Sequence, residues 1–142
     1  MPYYDSIEKM YEVYEEFLKR VLTHPKVGPK LGKAKVKIRF NYTEPDGSIL
    51  LDLTGPGPEG MHGNFKIGDT EEKADVTLSQ SADLAHRFWQ GKENAVLALA
   101  SGKIKGSGAV QKAMGLVTAI RPTFSIFKDV LREKGLESTI VE

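Results

Sequence analysis

Between Leu22 and Val36 the apolar residues of this chain change their period, and few folds accommodate that change. Upstream, Ile7, Met10, Tyr11, Tyr14, Phe17, Leu18, Val21 and Leu22 recur at steps of three and four, the spacing of one broad stripe on a helix. Downstream, Val36, Ile38, Phe40 and Tyr42 alternate with Lys35, Lys37, Arg39 and Asn41, the spacing of a strand with one dry face and one wet face. An amphipathic helix and a half-buried sheet in one short chain must cover each other, which points to an α+β layer structure.

The helix is marked at both ends. Asp5 stands three residues before Glu8 and resembles a capping box. Glu8, Glu12, Glu15 and Glu16 precede Lys19 and Arg20, the order a helix dipole prefers. His24-Pro25 closes it, because the residue before a proline is driven out of helical geometry. Lys26 to Gly32 reads as a loop with room for one helical turn. After a first strand over Lys35 to Tyr42, Glu44-Pro45-Asp46-Gly47 is a turn. Ile49, Leu51 and Leu53 then share one face of a second strand, opposite Ser48, Leu50, Asp52 and Thr54, and the two strands predict an antiparallel hairpin. The run from Gly55 to Gly60 suits neither helix nor central strand. Met61 to Ile67 alternates again and completes a three-stranded meander, Gly68 to Lys73 is a charged loop, and Ala74 to Ser79 is a fourth strand.

The second half is mostly helical. Ser81 is the expected N-cap of a helix bearing Leu84, Ala85, Phe88 and Trp89 and ended by Gly91. Asn94 caps Ala95 to Ser101, a segment apolar on nearly every side, so it is buried or meets something greasy. Lys103-Ile104-Lys105 is a short strand, Gly106-Ser107-Gly108 a turn, and Val110 to Ile120 a helix broken at Pro122. Phe124, Phe127, Val130 and Leu131 form a last stripe before Gly135. With 142 residues and no linker or repeat, one domain over 1–142 is expected.

Composition excludes several function classes. Lys plus Arg is 20 against 19 for Asp plus Glu, so no global field steers the chain to nucleic acid. Cys is 0, which removes disulfides, thiolate metal sites and thiol nucleophiles and fits a reducing cytoplasm. No run of about 18 apolar residues is present, so no transmembrane segment is expected, only transient membrane contact. Met1 to Asp5 lacks the pattern of a signal peptide, and Ser138 to Glu142 is neither a peroxisomal tripeptide nor a prenylation box.

Polar chemistry has few candidates. His24, His62 and His86 are not spaced as metal ligands, and no cofactor is implied. Asp52 and Asp75 are the carboxylates on strands, and alternation turns both to the polar face. Gly102 to Gly108 satisfies neither the dinucleotide nor the phosphate-loop spacing. The informative feature is apolar excess in the second half, interleaved with Ala95, Ala98, Ala100, Gly102, Ala113 and Gly115. Apolar helices curving over one side of a sheet enclose a cavity, with Met114 as an adaptable wall.

Three segments carry a resemblance. Ala74-Asp75-Val76-Thr77-Leu78-Ser79-Gln80-Ser81-Ala82-Asp83-Leu84, then Trp89-Gln90-Gly91-Lys92-Glu93-Asn94, then Ala98-Leu99-Ala100-Ser101-Gly102-Lys103-Ile104-Lys105-Gly106, resemble the sterol carrier protein type 2 family in this order. The resemblance implies a mixed five-stranded sheet with helices on one face and an apolar tunnel. It implies non-covalent binding of fatty acids, fatty acyl-CoA, sterols or phospholipids, with no catalytic residues. The long first helix and the Lys26 to Gly32 loop match no motif of that family, and the kink at Arg121-Pro122 alters the last wall.

The expected function is therefore lipid binding and transfer in the cytoplasm. Expected wall residues are Phe65, Leu84, Phe88, Trp89, Leu99, Ile104, Met114, Val117, Phe124 and Phe127, with Lys103 and Lys105 at a head group. Two alternatives stand beside it. One is an accessory domain presenting an isoprenoid or acyl substrate to a partner enzyme. The other is a small cavity enzyme with Asp52 or Asp75 as base, for which an inward-facing acid would be needed.

Overall fold

The period change marks a change of layer. The computed structural model describes residues 3–68 and 71–142. In it the long stripe becomes α1 (Ile7–Thr23), which buries Met10, Val13, Tyr14, Phe17, Leu18, Val21 and Leu22. Seven such side chains contribute roughly 10–20 kcal/mol of gross hydrophobic stabilisation, an upper bound because the unfolded chain already buries part of that area. The cap differs from expectation. Ser6 rather than Asp5 occupies the N-cap, and its hydroxyl accepts from the Lys9 amide at 3.2 Å. The expected loop after Pro25 is a six-residue helix, α2 (Val27–Gly32).

The strands follow as β1 (Lys37–Thr43), β2 (Gly47–Asp52), β3 (Asn64–Ile67) and β4 (Val76–Ser81). Strand β3 is shorter than the alternation from Met61 suggests, and β4 lies two residues further on. Then come α3 (Ala82–Phe88), α4 (Ala95–Ala100), β5 (Lys105–Gly108), α5 (Val110–Met114) and α6 (Thr123–Glu133). The caps of α3 and α4 are the expected ones: Ser81 Oγ accepts from Leu84 N at 3.0 Å and Asn94 Oδ1 from Leu97 N at 3.1 Å.

The sheet order is β3-β2-β1-β4-β5. Strands β1 and β2 form the hairpin, β3 extends it into the meander, β4 runs parallel to β1, and β5 is antiparallel to β4. The fold is thus α+β with a mixed five-stranded sheet. In-register pairs Ile38–Leu51 and Ile38–Val76 place the apolar alternate residues of three strands on one face, and the helices cover that face. From edge strand β3 the chain returns to β4 across the other face. Glu72 on that connection takes Lys66 and Lys37, whose hydrogen bonds hold its carboxyl down to about 2, while Arg39 donates to its carbonyl oxygen. Leu50, the one apolar residue on that face of β2, is fully buried. Asp69 and Thr70 of the expected charged loop lie outside the described residues.

Two segments of the second half depart from expectation. The turn at Gly106-Ser107-Gly108 belongs to β5, paired as Leu78–Gly106, Thr77–Ser107 and Val76–Gly108. The helix from Val110 stops at Met114, capped by Gly115, and residues 115–122 form successive turns. Gly115 and the β-branched Val117 and Thr118 weaken helix propensity there. Segment α4 is not buried all round. Ala95 and Ala98 face inward, while Val96 and Leu97 are 62% and 66% exposed.

Candidate functional site

The inner face of the sheet and the helices above it do not close on each other completely. Ile38 and Phe40 of β1, Leu51 of β2 and Leu78 of β4 form a floor. Phe17, Leu18 and Val21 of α1 with Leu31 of α2 form one wall. Phe88 and Trp89 at the end of α3, Ala113 and Met114 of α5, and Leu116, Val117 and Ile120 of the following turns form the roof. Every lining residue is apolar. The cavity holds about 70 Å³. An apolar cavity of about 150 Å³ takes a benzene-sized ligand, so a longer molecule has to part these walls.

Local structure explains the roof. Ser81 is both the last sheet-paired residue of β4 and the N-cap of α3, and Trp89 caps the helix through Trp89 N to Ala85 O at 3.0 Å. Trp89 lies edge-on to Phe17 and Phe88, with ring centroids 5.1 and 5.0 Å apart. Gly91 has φ +77, and a Cβ there would stand 2.9 Å from the Phe124 ring. Glycine therefore serves both the left-handed turn and the close approach of α6. Phe124 in turn lies edge-on to Phe88 at 6.3 Å.

Outside the roof runs an open groove. Phe88 and Val117, which line the cavity, also border this groove, together with Gly91, Phe124, Lys92, Arg121 and Lys128. Groove and cavity therefore adjoin at Phe88 and Val117. Glu93, also on the groove, is held by Arg87 Nε at 3.0 Å.

Of the expected wall residues, the structure brings Phe88, Trp89, Met114 and Val117 together around the cavity. Phe124 borders the groove. Leu84, Ile104 and Phe127 are buried in the core behind it, Phe127 against Tyr14, Phe17 and His86. Leu99 is half-buried near Gly106, and Phe65 is half-buried on edge strand β3. Lys103 and Lys105 are exposed, the first beside the end of α4 and the second at the start of β5. Sequence reasoning assigned Phe17, Leu18, Val21, Ile38, Phe40, Leu51 and Leu78 to apolar faces without placing them at the cavity. Their periodicity was the signal, but which faces meet is a tertiary fact.

The polar groups lie elsewhere. Asp52 and Asp75 are on the face of the sheet away from the cavity. Asp52 accepts from the Thr54 amide at 2.9 Å, and Asp75 accepts from the Lys37 amide at 2.9 Å. His86 is buried on α3 between Tyr4 Oη, 2.8 Å from Nδ1, and Thr139 O, 2.9 Å from Nε2. A carbonyl only accepts, so Nε2 carries the proton and the tyrosine hydroxyl donates to Nδ1. Burial lowers the His86 pKa from 6.5, which suits this neutral ring. Among the described residues no group of three or more His, Cys, Asp or Glu is arranged to hold a metal, and no helix is long and apolar enough to cross a membrane.

A mixed five-stranded sheet with helices on one face agrees with what comparison finds. The family model of the SCP-2 sterol transfer family matches residues 15–121. The chain belongs to the SCP-2 sterol transfer family. Lipid binding and transfer is the activity class that this membership implies. Sterol carrier protein 2 from Yarrowia lipolytica is similar in structure, with 24% identity and TM-score 0.61 over 84% of this chain and 94% of that one. The sterol carrier protein domain 2 of Helicoverpa armigera has 24% identity and TM-score 0.61 over 79% and 86%. A UbiJ-SCP2 ubiquinone synthesis protein has 14% identity and TM-score 0.61 over 80% and 95%. At these identities the likeness establishes the SCP-2 fold. No curated protein matches the chain by sequence.

Proposed function

We propose that this SCP-2 domain is a non-covalent carrier whose cavity receives the tail of a fatty acid, a fatty acyl-CoA, a sterol or a phospholipid. The observation that carries the reading is the lining, which is apolar throughout and offers no acid, base or nucleophile. Phe88, Trp89, Met114 and Val117 touch the tail, Leu84 and Ile104 belong to the buried core, and Phe127 backs Phe17 of the opposite wall. A sixteen-carbon chain gains about 0.8 kcal/mol per buried CH₂, roughly 12 kcal/mol gross. Ordering, immobilisation and parting of the walls offset several of these, which leaves an affinity window of about micromolar to nanomolar. No reaction is assigned, and the carrier acts in the cytoplasm.

The test is displacement of a fluorescent fatty acid. One-to-one stoichiometry and competition by natural acyl chains are expected, and Asp52→Asn and Asp75→Asn leave both unchanged. Binding no better than that of heat-denatured protein overturns the carrier reading. A turnover activity abolished in either Asp variant, with binding retained, favours the small-enzyme reading instead.

One observation favours a second role on top of the first. Val96, on the groove, and Leu97, on the neighbouring hollow, are exposed, and a partner enzyme receiving the ligand would make apolar contact there. In that reading Leu97→Asp leaves ligand affinity intact and slows delivery to the partner. Equal delivery by both proteins argues for a carrier without a dedicated partner.

A further inference from the structure

The cations of this chain are not evenly spread. Residues 89–128 hold six of the 20, namely Lys92, Lys103, Lys105, Lys112, Arg121 and Lys128, and one of the 19 acids, Glu93. The remainder holds 14 cations and 18 acids. The near-neutral total therefore hides a positive stretch of sequence, and that stretch carries most of the roof of the cavity.

Within it, Lys92, Arg121 and Lys128 converge on the groove. Among the described residues none of the three has a carboxylate within 4.0 Å, whereas the groove's one acid, Glu93, is engaged by Arg87 at 3.0 Å. Of the 14 cations elsewhere, seven pair with carboxylates among the described residues, including Arg20 with Glu16 and Glu133 and both Lys37 and Lys66 with Glu72. The groove and the cavity share two lining side chains, Phe88 and Val117. Three cations without carboxylate partners, set on a groove that adjoins a wholly apolar space, match a molecule with an anion at one end and a hydrocarbon at the other.

Resting on the carrier reading, we propose that the groove is the head-group site. It takes the carboxylate or phosphate of a single-chain amphiphile through Arg121, Lys128 and Lys92, while the tail passes between Phe88 and Val117 into the cavity. Arg121 supplies the planar fork that suits either oxyanion, and the two lysines supply point charges. Lys103 and Lys105 do not line the groove and serve as the comparison pair.

The experiment measures affinity for three probes of equal chain length: a sixteen-carbon fatty acid, the sixteen-carbon alcohol and a single-chain phosphomonoester. Parent protein is compared with Arg121→Gln/Lys128→Gln and with Lys103→Gln/Lys105→Gln. The groove variant is expected to bind the acid and the phosphomonoester about tenfold or more weakly and the alcohol within about twofold of parent. Added salt weakens acid binding to parent and has less effect on the variant. Retained alcohol binding shows in the same titration that the variant is folded. The tighter of the two anionic probes identifies the head group as carboxylate or phosphate. Acid and alcohol affinities that respond equally to the groove substitutions overturn the head-group site while leaving the carrier intact. A loss of acid binding confined to the Lys103/Lys105 variant also overturns it. Failure of all three probes to bind parent protein overturns the carrier reading itself.

Discussion

Two buried tyrosines have opposite fates in this core, and substitution separates them. Tyr4 donates to His86 Nδ1 at 2.8 Å, so Tyr4→Phe leaves a buried ring nitrogen without a partner and costs about 1–3 kcal/mol. Tyr14 is as deeply buried, but its hydroxyl has no partner among the described residues. Tyr14→Phe removes a desolvated group that gains nothing, so stability is expected to stay level or rise by about 1 kcal/mol. Chemical denaturation of the two variants checks the contrast, and a large loss in Tyr14→Phe contradicts it. His86 gives a pH signature. Its folded pKa lies below 6.5, so as pH falls the unfolded chain binds the proton first. Stability is full above about 6.5 and declines as pH drops toward the folded value. Thermal melts of parent protein should fall across that window, and His86→Gln should flatten this part of the curve at a lower melting temperature. A slope that survives the substitution has another origin.

At the scale of elements, β5 shows what a short edge strand requires. Its residues are Lys105 to Gly108, and Gly108 has φ +78 with a hypothetical Cβ 2.2 Å from the Asp75 carbonyl oxygen. Gly102 has a similar φ of +81 and nothing within 4 Å. Gly102→Ala therefore carries only the left-handed penalty, about 1–2 kcal/mol, whereas Gly108→Ala adds a backbone clash and should cost clearly more and release the edge. Hydrogen exchange at Ser79 and Ser107 measures that release, and equal costs for the two substitutions refute the argument. The same strand marks the limit of the sequence reading. Strands β1 and β2, the meander and the caps at Ser81 and Asn94 were legible because alternation and capping are local signals. Gly106-Ser107-Gly108 reads as a turn because glycine has no side chain to alternate, and only its partner β4 makes it a strand. The helix over Val110 to Ile120 failed at Gly115 for a related reason. An apolar stripe survives there although the backbone turns, since Leu116, Val117 and Ile120 are held by the cavity rather than by helix periodicity.

The whole molecule is a sheet covered by helices from both ends of the sequence, with the cavity between them. That is why the site was half legible. The second-half walls announce themselves by apolar excess, but Phe17, Leu18 and Val21 lie about 70 to 100 residues earlier, and nothing local says that α1 supplies the opposite wall. The small volume of about 70 Å³ makes ligand binding a rearrangement rather than a filling, and Trp89 reports on it. Trp89 is the only tryptophan and is 9% exposed, wedged edge-on against Phe17 and Phe88. If a lipid tail parts the roof from α1, the indole exchanges ring neighbours for methylenes, and its emission shifts in wavelength and intensity with the ligand titration. If the tail lodges elsewhere, the indole stays in a close-packed setting that barely moves, and the spectrum stays still. Trp89→Ala costs about 3–5 kcal/mol and confounds binding with folding. Trp89→Phe keeps an aromatic body and separates them: a near-parent melting temperature with weaker affinity for acid and alcohol alike places residue 89 against the tail. Unchanged emission at saturation, together with parent affinity in Trp89→Phe, removes it from the path.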